Sequence, residues 1–326
     1  MVYTKKIFIT GGCGFIGSNF IKLLLNETEY QIINYDMLTY AGNLNNLKED
    51  EKNPKYFFIK GDICDKERVL KSLEGCDVLI NFAAESHVDR SIKNASNFIT
   101  TNILGTSILL DAAKELGIKK FIQISTDEVY GSLTKEDSSS KEEDILKPSS
   151  PYSSSKASAE LLALSYYKTH KLPVIITRSS NNYGLYQYPE KLIPLFIINL
   201  INNKKVSLMG KGENIRDWIH VEDNCRGILN IIEKGKVGEI YNIGGENEKT
   251  NMEITKCILD EFNKDESWIK EIPHRLGHDF RYSLDCSKIK QLGWKPKYTF
   301  QEGMKKTIKW YRENPSWWKK LMEESK

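Results

Sequence analysis

The sequence predicts an α/β protein with a Rossmann-type doubly wound parallel sheet and a smaller C-terminal α/β substrate-binding lobe. Three observations predict this fold. A glycine-rich turn separates an apolar strand from a helical pattern near the start of the chain, strand-like and helical patterns alternate as far as residue 180, and the alternation loosens afterwards. We therefore expect a dinucleotide-binding domain with the catalytic residues over residues 1–180. Residues 181–326 are predicted to be mainly a substrate-binding lobe, from which some chain returns to the first domain.

Composition excludes several classes of function. The chain has 326 residues, 40% hydrophobic and 28% charged, which is ordinary for a globular protein. The net charge of +3 without a long basic run argues against nucleic acid. No apolar stretch is long enough to span a bilayer, and the first residues leave no room for a signal peptide. The six scattered cysteines and five histidines lack metal-ligand spacing. We expect a soluble cytoplasmic protein with no metal site.

The first functional pattern is the glycine-rich turn. The apolar run Lys5–Thr10 is followed by Gly11, Gly14 and Gly17, and then by a helical pattern of apolar residues. Glycines at this spacing permit a tight turn, close approach of the backbone to a pyrophosphate, and close packing of helix on strand. The turn between a strand and a helix therefore predicts a dinucleotide site.

The end of the next predicted strand indicates which dinucleotide binds. The run Gln31–Tyr35 ends at Asp36, at a distance beyond Gly17 that suits a carboxylate on the adenosine ribose hydroxyls. Met37 follows, where an arginine would be needed to hold a 2′-phosphate. The sequence therefore favours NAD over NADP.

Two further strands add cofactor contacts. Tyr56–Ile59 and Asp77–Phe82 read as strands, and Lys66–Leu73 reads as a helix between them. The loops after these strands should lie at the carboxyl edge of the sheet, where cofactors bind. The residues there are Asp62, Ile63, Phe82, Ala83, Ala84 and Ser86.

A long helix is predicted over Ser91–Leu116. Leu104, Ile108 and Ala112 follow one another at helical spacing, so we expect this face to pack on the core. The helix is also predicted to contact a second subunit.

The stretch from Phe121 to Lys156 carries the reactive groups. A buried strand ends at Thr126, Asp127 and Glu128, a hydroxyl beside two carboxylates. Tyr152 and Lys156 stand four residues apart at the start of a helix, so they share one face. An ammonium beside a phenol lowers its pKa, which predicts a tyrosine base with further acid and base groups beside it. The alternative interpretation is an acidic strand end and an exposed Tyr/Lys pair.

The sequence predicts the remaining helices, strands and loops in less detail. Residues 134–150 form a polar loop. The predicted elements after it are a helix over Tyr152–His170, a strand over Pro173–Ser179, a turn over residues 181–184, an apolar helix opened by residues 190–192, a helix after residues 216–223, a strand over Glu239–Ile243 and a last helix over Phe300–Arg312.

Ten segments in this order carry a resemblance to a known family. They are TGGCGFIGS, YDMLTYAGN, GDICD, AAESHVDRSI, TNILGT, STDEVYG, PYSSSKASAE, RSSNNYGLYQYPEKLIPL, MGKGENIRDWIHVED and RLGHDFRYSLD. The chain resembles the extended short-chain dehydrogenase/reductase superfamily and, within it, the 4,6-dehydratases of nucleotide-activated glucose. The resemblance runs from about Lys5 to Trp310. The Thr-Asp-Glu triplet is its most specific part.

The resemblance implies a role for each reactive residue. Tyr152, its pKa lowered by Lys156 and by the nicotinamide, would take the proton from the glucose 4-hydroxyl, to which Thr126 also hydrogen-bonds. Glu128 would remove the C5 proton, and protonated Asp127 would donate to the departing C6 hydroxyl. The two carboxylates take opposite roles only if their environments separate their pKa values.

The resemblance also implies two sets of ligand contacts. The cofactor set is Gly11, Gly14, Phe15, Ile16, Gly17, Asp36, Met37, Leu38, Thr39, Asp62, Ile63, Phe82, Ala83, Ala84, Ser86, Thr101, Tyr152, Lys156 and Asn182. The substrate set is Ser86, Thr126, Asn181, Glu190, Lys191, Leu192, Arg216, Asn251, Arg275 and His278.

Several alternatives stay open at this point. A UDP-sugar 4-epimerase or decarboxylase of the same superfamily needs no acid for C6, so Asp127 and Glu128 argue against it. A non-catalytic NAD-binding protein is the third hypothesis. Residues 207–209 differ from the family pattern near the nucleotide base, which leaves thymidine and uridine nucleotides both open. The resemblance also implies a homodimer through the 91–116 and 152–170 helices.

Overall fold

The computed structural model describes residues 5–274 and 277–324. Its strands are β1 (Lys6–Thr10), β2 (Gln31–Asp36), β3 (Tyr56–Lys60), β4 (Val78–Asn81), β5 (Lys120–Thr126), β6 (Val174–Ser179), β7 (Asn181–Tyr183), β8 (Val206–Met209), β9 (Ile215–His220), β10 (Ile240–Ile243), β11 (Glu248–Thr250) and β12 (Ile269–Ile272).

The α-helices lie between and after these strands. They are α1 (Phe15–Glu27), α2 (Lys66–Leu73), α3 (Val88–Lys93), α4 (Ser96–Phe98), α5 (Thr106–Glu115), α6 (Pro151–His170), α7 (Leu192–Ile201), α8 (Val221–Lys234), α9 (Asn251–Asp260), α10 (Ser287–Gln291), α11 (Phe300–Glu313) and α12 (Pro315–Glu324).

Seven parallel strands form the large sheet, in the order β10-β6-β5-β4-β1-β2-β3. The strand order reverses between β1 and β4, which is the switch point at which doubly wound sheets bind ligands. The predicted Rossmann-type fold is therefore confirmed.

Apolar clusters cover both faces of this sheet. One is centred on Ile7, Phe20 and Ile122, and the other on Phe8, Leu79 and Phe121. A strand buried on both faces reads as a continuous apolar run, which explains the strand signals in the sequence.

Two small sheets and a third apolar cluster lie beyond residue 180. The strand order of one sheet is β11-β9-β7, and β12 pairs with β8 in the other. The third cluster includes Phe196, Trp218 and Tyr311. However, β10 belongs to the large sheet and α8 packs against α1, so residues 221–243 lie with the first 180 residues.

The single helix expected over Ser91–Leu116 is wrong. The chain forms α3, α4, a π-helical segment (Ile99–Gly105) and α5 instead. The wider π turn changes the phase of the helix, so Leu104 is 51% exposed while Leu109, Leu110 and Ala113 are fully buried. The core-facing role predicted for Leu104 is therefore wrong as well.

Two other elements differ from the prediction. Residues 181–183 are not only a turn, because Asn181 pairs with Trp218 in a parallel ladder. The helix that begins at Phe300 is not the last, since α12 follows it and buries Trp318. A short strand and an interrupted helix both lack the long periodic pattern that sequence reading depends on.

The structure also bears on membrane insertion and on metal binding. In residues 5–274 and 277–324, no helix is long and apolar enough to cross a membrane. The same part of the chain holds no group of three or more His, Cys, Asp or Glu side chains placed to bind a metal ion.

Candidate active site

A glycine turn joins β1 to α1 at the carboxyl edge of the large sheet. Gly11 has a φ of +67°. A Cβ atom on Gly11 would lie 2.6 Å from the backbone nitrogen of Ala83, and one on Gly17 would lie 2.4 Å from the Gly11 oxygen. Side chains are therefore excluded from both positions, and a pyrophosphate can approach the N-terminus of α1 closely.

Asp36 ends β2 beside this turn. Its Oδ1 accepts a hydrogen bond from the Leu38 N–H at 2.7 Å, and its Oδ2 accepts one from the Cys13 N–H at 2.9 Å. Burial raises the pKa of the Asp36 carboxyl, and the two N–H donors oppose that rise. Each carboxylate oxygen can accept more than one hydrogen bond, so Asp36 retains acceptor capacity for ribose hydroxyls.

A cleft of 260 Å³ opens along the switch point. Most of the predicted cofactor residues lie in its wall, and these are Gly11, Gly14, Phe15, Ile16, Gly17, Asp36, Met37, Thr39, Asp62, Ile63, Phe82, Ala83, Ala84, Ser86, Thr101, Tyr152 and Lys156. The glycine turn and Asp36 lie in the same wall, so the cleft fits a dinucleotide.

Leu38 and Asn182 lie outside this wall. Leu38 acts through its backbone, which donates to Asp36. Asn182 Nδ2 donates to the carbonyl oxygen of Ser180 at 3.0 Å.

The wall also contains Glu85, which lies within the predicted cofactor run 82–86. The sequence analysis missed other wall residues, namely Tyr35, Tyr40, Ala41, Gly42, Gly61, Ile124, Ser125, Gln187 and Tyr188. Tyr40, Ala41 and Gly42 belong to a segment that carried the resemblance, so that segment was a signal for them.

The carboxylate pair begins where β5 ends. Thr126 caps a short 3₁₀ helix (Asp127–Tyr130), because its hydroxyl accepts a hydrogen bond from the Glu128 N–H at 3.2 Å. The same hydroxyl donates to Asp127 Oδ1 at 3.2 Å. The hydroxyl and both carboxyl groups are thereby held together at the end of a central strand.

Asp127 is the more deeply buried of the two carboxyl groups. Burial, then the charge of Glu128, then the charge of Asp217 raise the pKa of Asp127 well above its usual range. No residue of the described chain contacts Asp127 Oδ2 by a hydrogen bond. The raised pKa favours the protonated form of Asp127, which is the form that can act as a general acid.

Tyr152 is held at the start of α6. The Ser150 hydroxyl caps the helix by accepting from the Ser153 N–H at 3.1 Å, and Pro151 occupies the first turn. The Tyr152 ring packs edge-on against Phe98, with centroids 6.3 Å apart. These contacts fix the phenol beside Thr126.

The pKa of Tyr152 differs from the expectation. Burial and the charge of Glu128 raise the pKa of the phenol, whereas the Thr126 side chain lowers it. The Lys156 ammonium instead donates to the carbonyl oxygen of Ile124 at 2.6 Å. In the protein alone, therefore, Lys156 does not lower the pKa of Tyr152 below its ordinary value.

Lys156 is itself perturbed. Burial lowers its pKa to about 8, and the charge of Glu160 opposes that change. Lys156 lines the cleft together with Tyr152. It is therefore an ammonium close to its titration point at neutral pH.

Three predicted substrate residues, Ser86, Glu190 and Lys191, also line the cleft. Lys191 Nζ donates to the carbonyl oxygen of Ser86 at 3.3 Å. Glu190 accepts from the Tyr40 hydroxyl and from Arg90, both at 3.1 Å. These contacts join residues 190 and 191 to residues 40, 86 and 90 in the first 180 residues.

Arg216 lies on β9, outside the cleft wall. It donates to the backbone oxygens of Ile215, Asp279 and Phe280 at 2.7, 2.9 and 3.2 Å. Its guanidinium also stacks on the ring of Tyr282, 4.3 Å from the centroid. These contacts do not exhaust the N–H donors of a guanidinium, so Arg216 can still bind an anion.

The other predicted substrate residues in the described chain also lie outside the cleft wall. Leu192 begins α7 and Asn251 begins α9, while Asn181 Oδ1 is buried without a hydrogen-bond partner in the described chain. His278 Nδ1 lies 3.1 Å from His274 Nδ1. Arg275 lies outside the described residues.

The family model described as GDP-mannose 4,6 dehydratase matches residues 8–307. The dTDP-glucose 4,6-dehydratase of Streptomyces niveus is 45% identical, over 97% of this chain and 95% of the relative. The chain belongs to the nucleotide-sugar 4,6-dehydratase family.

Two solved structures of known enzymes have a fold closely similar to that of this chain. DesIV, a dTDP-glucose 4,6-dehydratase from Streptomyces venezuelae solved with NAD bound, superposes with a TM-score of 0.95 at 46% identity, covering 97% of this chain and 99% of that one. A UDP-glucose 4-epimerase from Thermotoga maritima superposes with 0.88 at 31% identity, covering 95% and 99%. Dehydratases and epimerases therefore share this fold, so the fold alone does not distinguish the two reactions.

Proposed function

We propose that this protein is a NAD-dependent hydro-lyase that converts dTDP-glucose or UDP-glucose to the 4-keto-6-deoxy nucleotide sugar and water. Such a product is an early intermediate of rhamnose and other deoxysugar synthesis. The observation that supports the proposal most strongly is the position of Asp127, a buried carboxyl group with a raised pKa, beside Glu128 at the end of β5. The similarity to dTDP-glucose 4,6-dehydratases over nearly the whole chain also supports it.

The residues of the cleft fit NAD. Gly11 and Gly17 admit the pyrophosphate, and the Asp36 carboxylate accepts the ribose hydroxyls. These residues would hold NAD in the cleft that Tyr152 also lines, where the cofactor would supply a reversible hydride acceptor for the sugar.

Tyr152 and Thr126 act on the 4-hydroxyl of the sugar. The Tyr152 phenolate would remove the hydroxyl proton while the Thr126 hydroxyl holds the same oxygen. Lys156 fixes the strand that carries Thr126, through its hydrogen bond to Ile124. Oxidation at C4 makes a ketone, and this ketone acidifies the neighbouring C5 proton.

Glu128 and Asp127 then eliminate water. The Glu128 carboxylate would take the C5 proton, and Asp127 would give its proton to the C6 hydroxyl, so that the C6–O bond breaks and water leaves. After C6 has been reduced, Glu128 would return a proton to C5. The sum is loss of one water with no net oxidation or reduction of the sugar.

A 4-epimerase is the second candidate, because the epimerase fold superposes closely on this chain. Epimerisation neither expels the C6 hydroxyl nor removes the C5 proton. It therefore gives no use to a buried, protonated Asp127 next to Glu128.

The substrate test separates these functions and the two nucleotides. The purified protein with NAD is given dTDP-glucose or UDP-glucose, and the product mass is measured. Loss of water from one of them is expected and identifies the base. Turnover with unchanged mass would indicate an epimerase, and binding of NAD without any turnover would indicate a non-catalytic protein.

We also propose a cytoplasmic homodimer. Exposed apolar side chains lie on the two helical segments that the family resemblance assigns to the interface: Ile99 is 55%, Leu104 51% and Leu161 59% exposed. The segment 99–105 packs against α6, and exposed apolar side chains on two neighbouring helical segments favour association. The six cysteines are all unpaired, as in reducing compartments.

Light scattering tests the dimer. Leu161→Arg places a charge on this surface and should convert the dimer to a monomer. Leu44→Arg, at an exposed leucine in the segment after β2, is the control and should leave the mass unchanged. A monomeric wild type, or a dimer that survives Leu161→Arg, contradicts this interface.

A further inference from the structure

Asp217 on β9 is a buried carboxylate for which the proposed function has no role. Its Oδ2 accepts a hydrogen bond from the Gly245 N–H at 3.0 Å, and its Oδ1 accepts one from the Asn247 N–H at 2.8 Å. Only 1% of Asp217 is exposed. A carboxylate that receives an N–H donor on each oxygen is held in one position, and these donors oppose the rise in pKa that burial causes.

The turn after β10 is shaped around this carboxylate. A Cβ atom on Gly244 would lie 2.4 Å from Asp217 Oδ2, and one on Gly245 would lie 2.0 Å from the backbone oxygen of Trp218. Any side chain at either glycine would push the turn away from β9. The glycine pair therefore lets the backbone approach and donate to Asp217.

Asp217 lies near Asp127 by the pairing of the strands. Thr126, directly before Asp127, pairs with Ser179 on β6. Two residues further on, Asn181 pairs with Trp218, directly after Asp217. Asp127 and Asp217 therefore both lie next to residues 179–181, each beside a different end of this segment.

Hydrogen bonds decide which aspartate holds a proton. Each oxygen of Asp217 accepts a backbone N–H, and these donors stabilise the ionised form of Asp217. Asp127 accepts the Thr126 hydroxyl only at Oδ1, and nothing in the described chain hydrogen-bonds its Oδ2. A proton is therefore accommodated on Asp127 Oδ2 without loss of a hydrogen bond.

We propose that Asp217 is a positioning residue whose fixed negative charge keeps the acid proton on Asp127 Oδ2. The inference rests on the proposed function, because it concerns the acid that releases water from C6. Asp217 touches neither cofactor nor substrate and acts through Asp127.

The direction of the electrostatic effect agrees with this role. The charge of Asp217 raises the pKa of Asp127, after burial and Glu128, while the charge of Arg216 lowers it. Burial also raises the pKa of Asp217, but the N–H of Asn247 and its neighbours oppose the rise. Asp127 is the carboxyl group whose pKa rises further.

The pH profile of water elimination tests the role of Asp217. A general acid no longer functions once it has lost its proton. The rate of water elimination should therefore fall at alkaline pH as Asp127 is deprotonated, and this fall is the alkaline limb of the profile. Asp217→Asn removes the charge that retains the proton, and this limb should move to lower pH by about one unit. A loss of structure alone would lower the rate at every pH without moving the limb.

Asp223→Asn is the matched control. Asp223 is equally buried and accepts the Tyr298 N–H at 2.9 Å, but its charge is not among the main causes of the raised pKa of Asp127. The control should leave the alkaline limb in place whatever it does to the rate. An alkaline limb that is the same in Asp217→Asn as in wild type, or that Asp223→Asn moves equally, overturns the inference.

Infrared spectroscopy locates the proton without requiring activity. The carbonyl band of a protonated carboxyl at neutral pH should disappear in Asp127→Asn and remain in Asp217→Asn. If Asp217→Asn does not fold, the wild type and Asp127→Asn still decide, because a band that survives in Asp127→Asn overturns the assignment. Failure of the proposed function is distinct, since it would appear as a wild type that eliminates no water from either nucleotide sugar.

Discussion

The Lys156 ammonium donates a hydrogen bond of 2.6 Å to the carbonyl oxygen of Ile124, from helix α6 to strand β5. Thr126 and the carboxylate pair follow Ile124 on that strand, and Tyr152 lies one helical turn before Lys156. This hydrogen bond links the helix that carries Tyr152 to the strand that carries Thr126. Lys156 is also a buried cation, and its lowered pKa should affect the stability of the protein.

Stability should depend on pH through Lys156. Burial lowers its pKa from 10.5 to about 8, so between these values the unfolded chain holds a proton that the folded protein has released. The free energy of unfolding should therefore rise with pH across this window, by about 3 kcal/mol in full. Denaturant unfolding of wild type and Lys156→Met, measured without NAD from neutral to alkaline pH, gives this difference.

Lys168→Met is the control for that experiment, since Lys168 is an exposed lysine near the end of the same helix. Its difference from wild type should stay constant with pH. A constant difference for Lys156→Met as well would show that the buried lysine keeps its ordinary pKa.

Tyr152→Phe should suppress oxidation of the sugar. The ring contact with Phe98 is retained, so the fold is kept, but the group that takes the 4-hydroxyl proton is lost. Loss of a general base lowers rates roughly a hundredfold to ten-thousandfold. Steady-state formation of the keto sugar measures the effect. Tyr166→Phe, which removes a phenol from the same helix that donates to Asp111, should leave turnover near wild type; equal rates for both variants would refute the assignment.

Glu128→Gln should separate oxidation from water loss. The amide cannot remove the C5 proton, whereas Tyr152 can still act on the 4-hydroxyl, so reduced cofactor should accumulate in a single turnover without release of water. Absorbance of the cofactor and product mass are read together. Glu136→Gln, in the exposed loop after β5, is the control. Normal water loss in Glu128→Gln would remove Glu128 from its role.

Gly11→Ala should abolish NAD binding. A Cβ atom there meets the backbone of Ala83 at 2.6 Å, and the residue has a φ of +67°. Gly117→Ala is a matched control, because Gly117 has a φ of +65° with no atom within 4 Å of a built Cβ. Both should lose about 1 kcal/mol from backbone strain, but only Gly11→Ala should lose affinity in calorimetric titration with NAD. Unchanged NAD affinity in Gly11→Ala would place the dinucleotide elsewhere.

Much of the fold follows from local patterns. The helix Lys66–Leu73 has the predicted bounds, and the helix predicted from Tyr152 to His170 differs by one residue at its start. These elements have clear caps and periodic apolar residues, which a sequence reading can use. The interrupted segment Ser91–Leu116 could not be read in this way, since a π turn leaves no mark in apolar spacing.

The motifs of the candidate site could be recognised in the sequence, but the pKa shifts of its residues could not. The glycine turn, Asp36 and Tyr152 stand in patterns whose chemistry is local. Burial and the charge of Glu128 raise the pKa of both Tyr152 and Asp127, and the charge of Asp217, which is distant in the sequence, adds to the rise for Asp127. The family resemblance implied the roles of the two carboxylates, but only the tertiary structure creates the burial and the charge contacts that raise these pKa values.

The most direct test of the account follows one labelled hydrogen. Nucleotide-activated glucose with deuterium at C4 is converted by the protein in ordinary water with catalytic NAD, and the product is examined by mass spectrometry and NMR. The account predicts a 4-keto-6-deoxy sugar that has lost water and carries the deuterium at C6, with a solvent hydrogen at C5. A product of unchanged mass with inverted C4, or a dehydrated product without deuterium at C6, would contradict it.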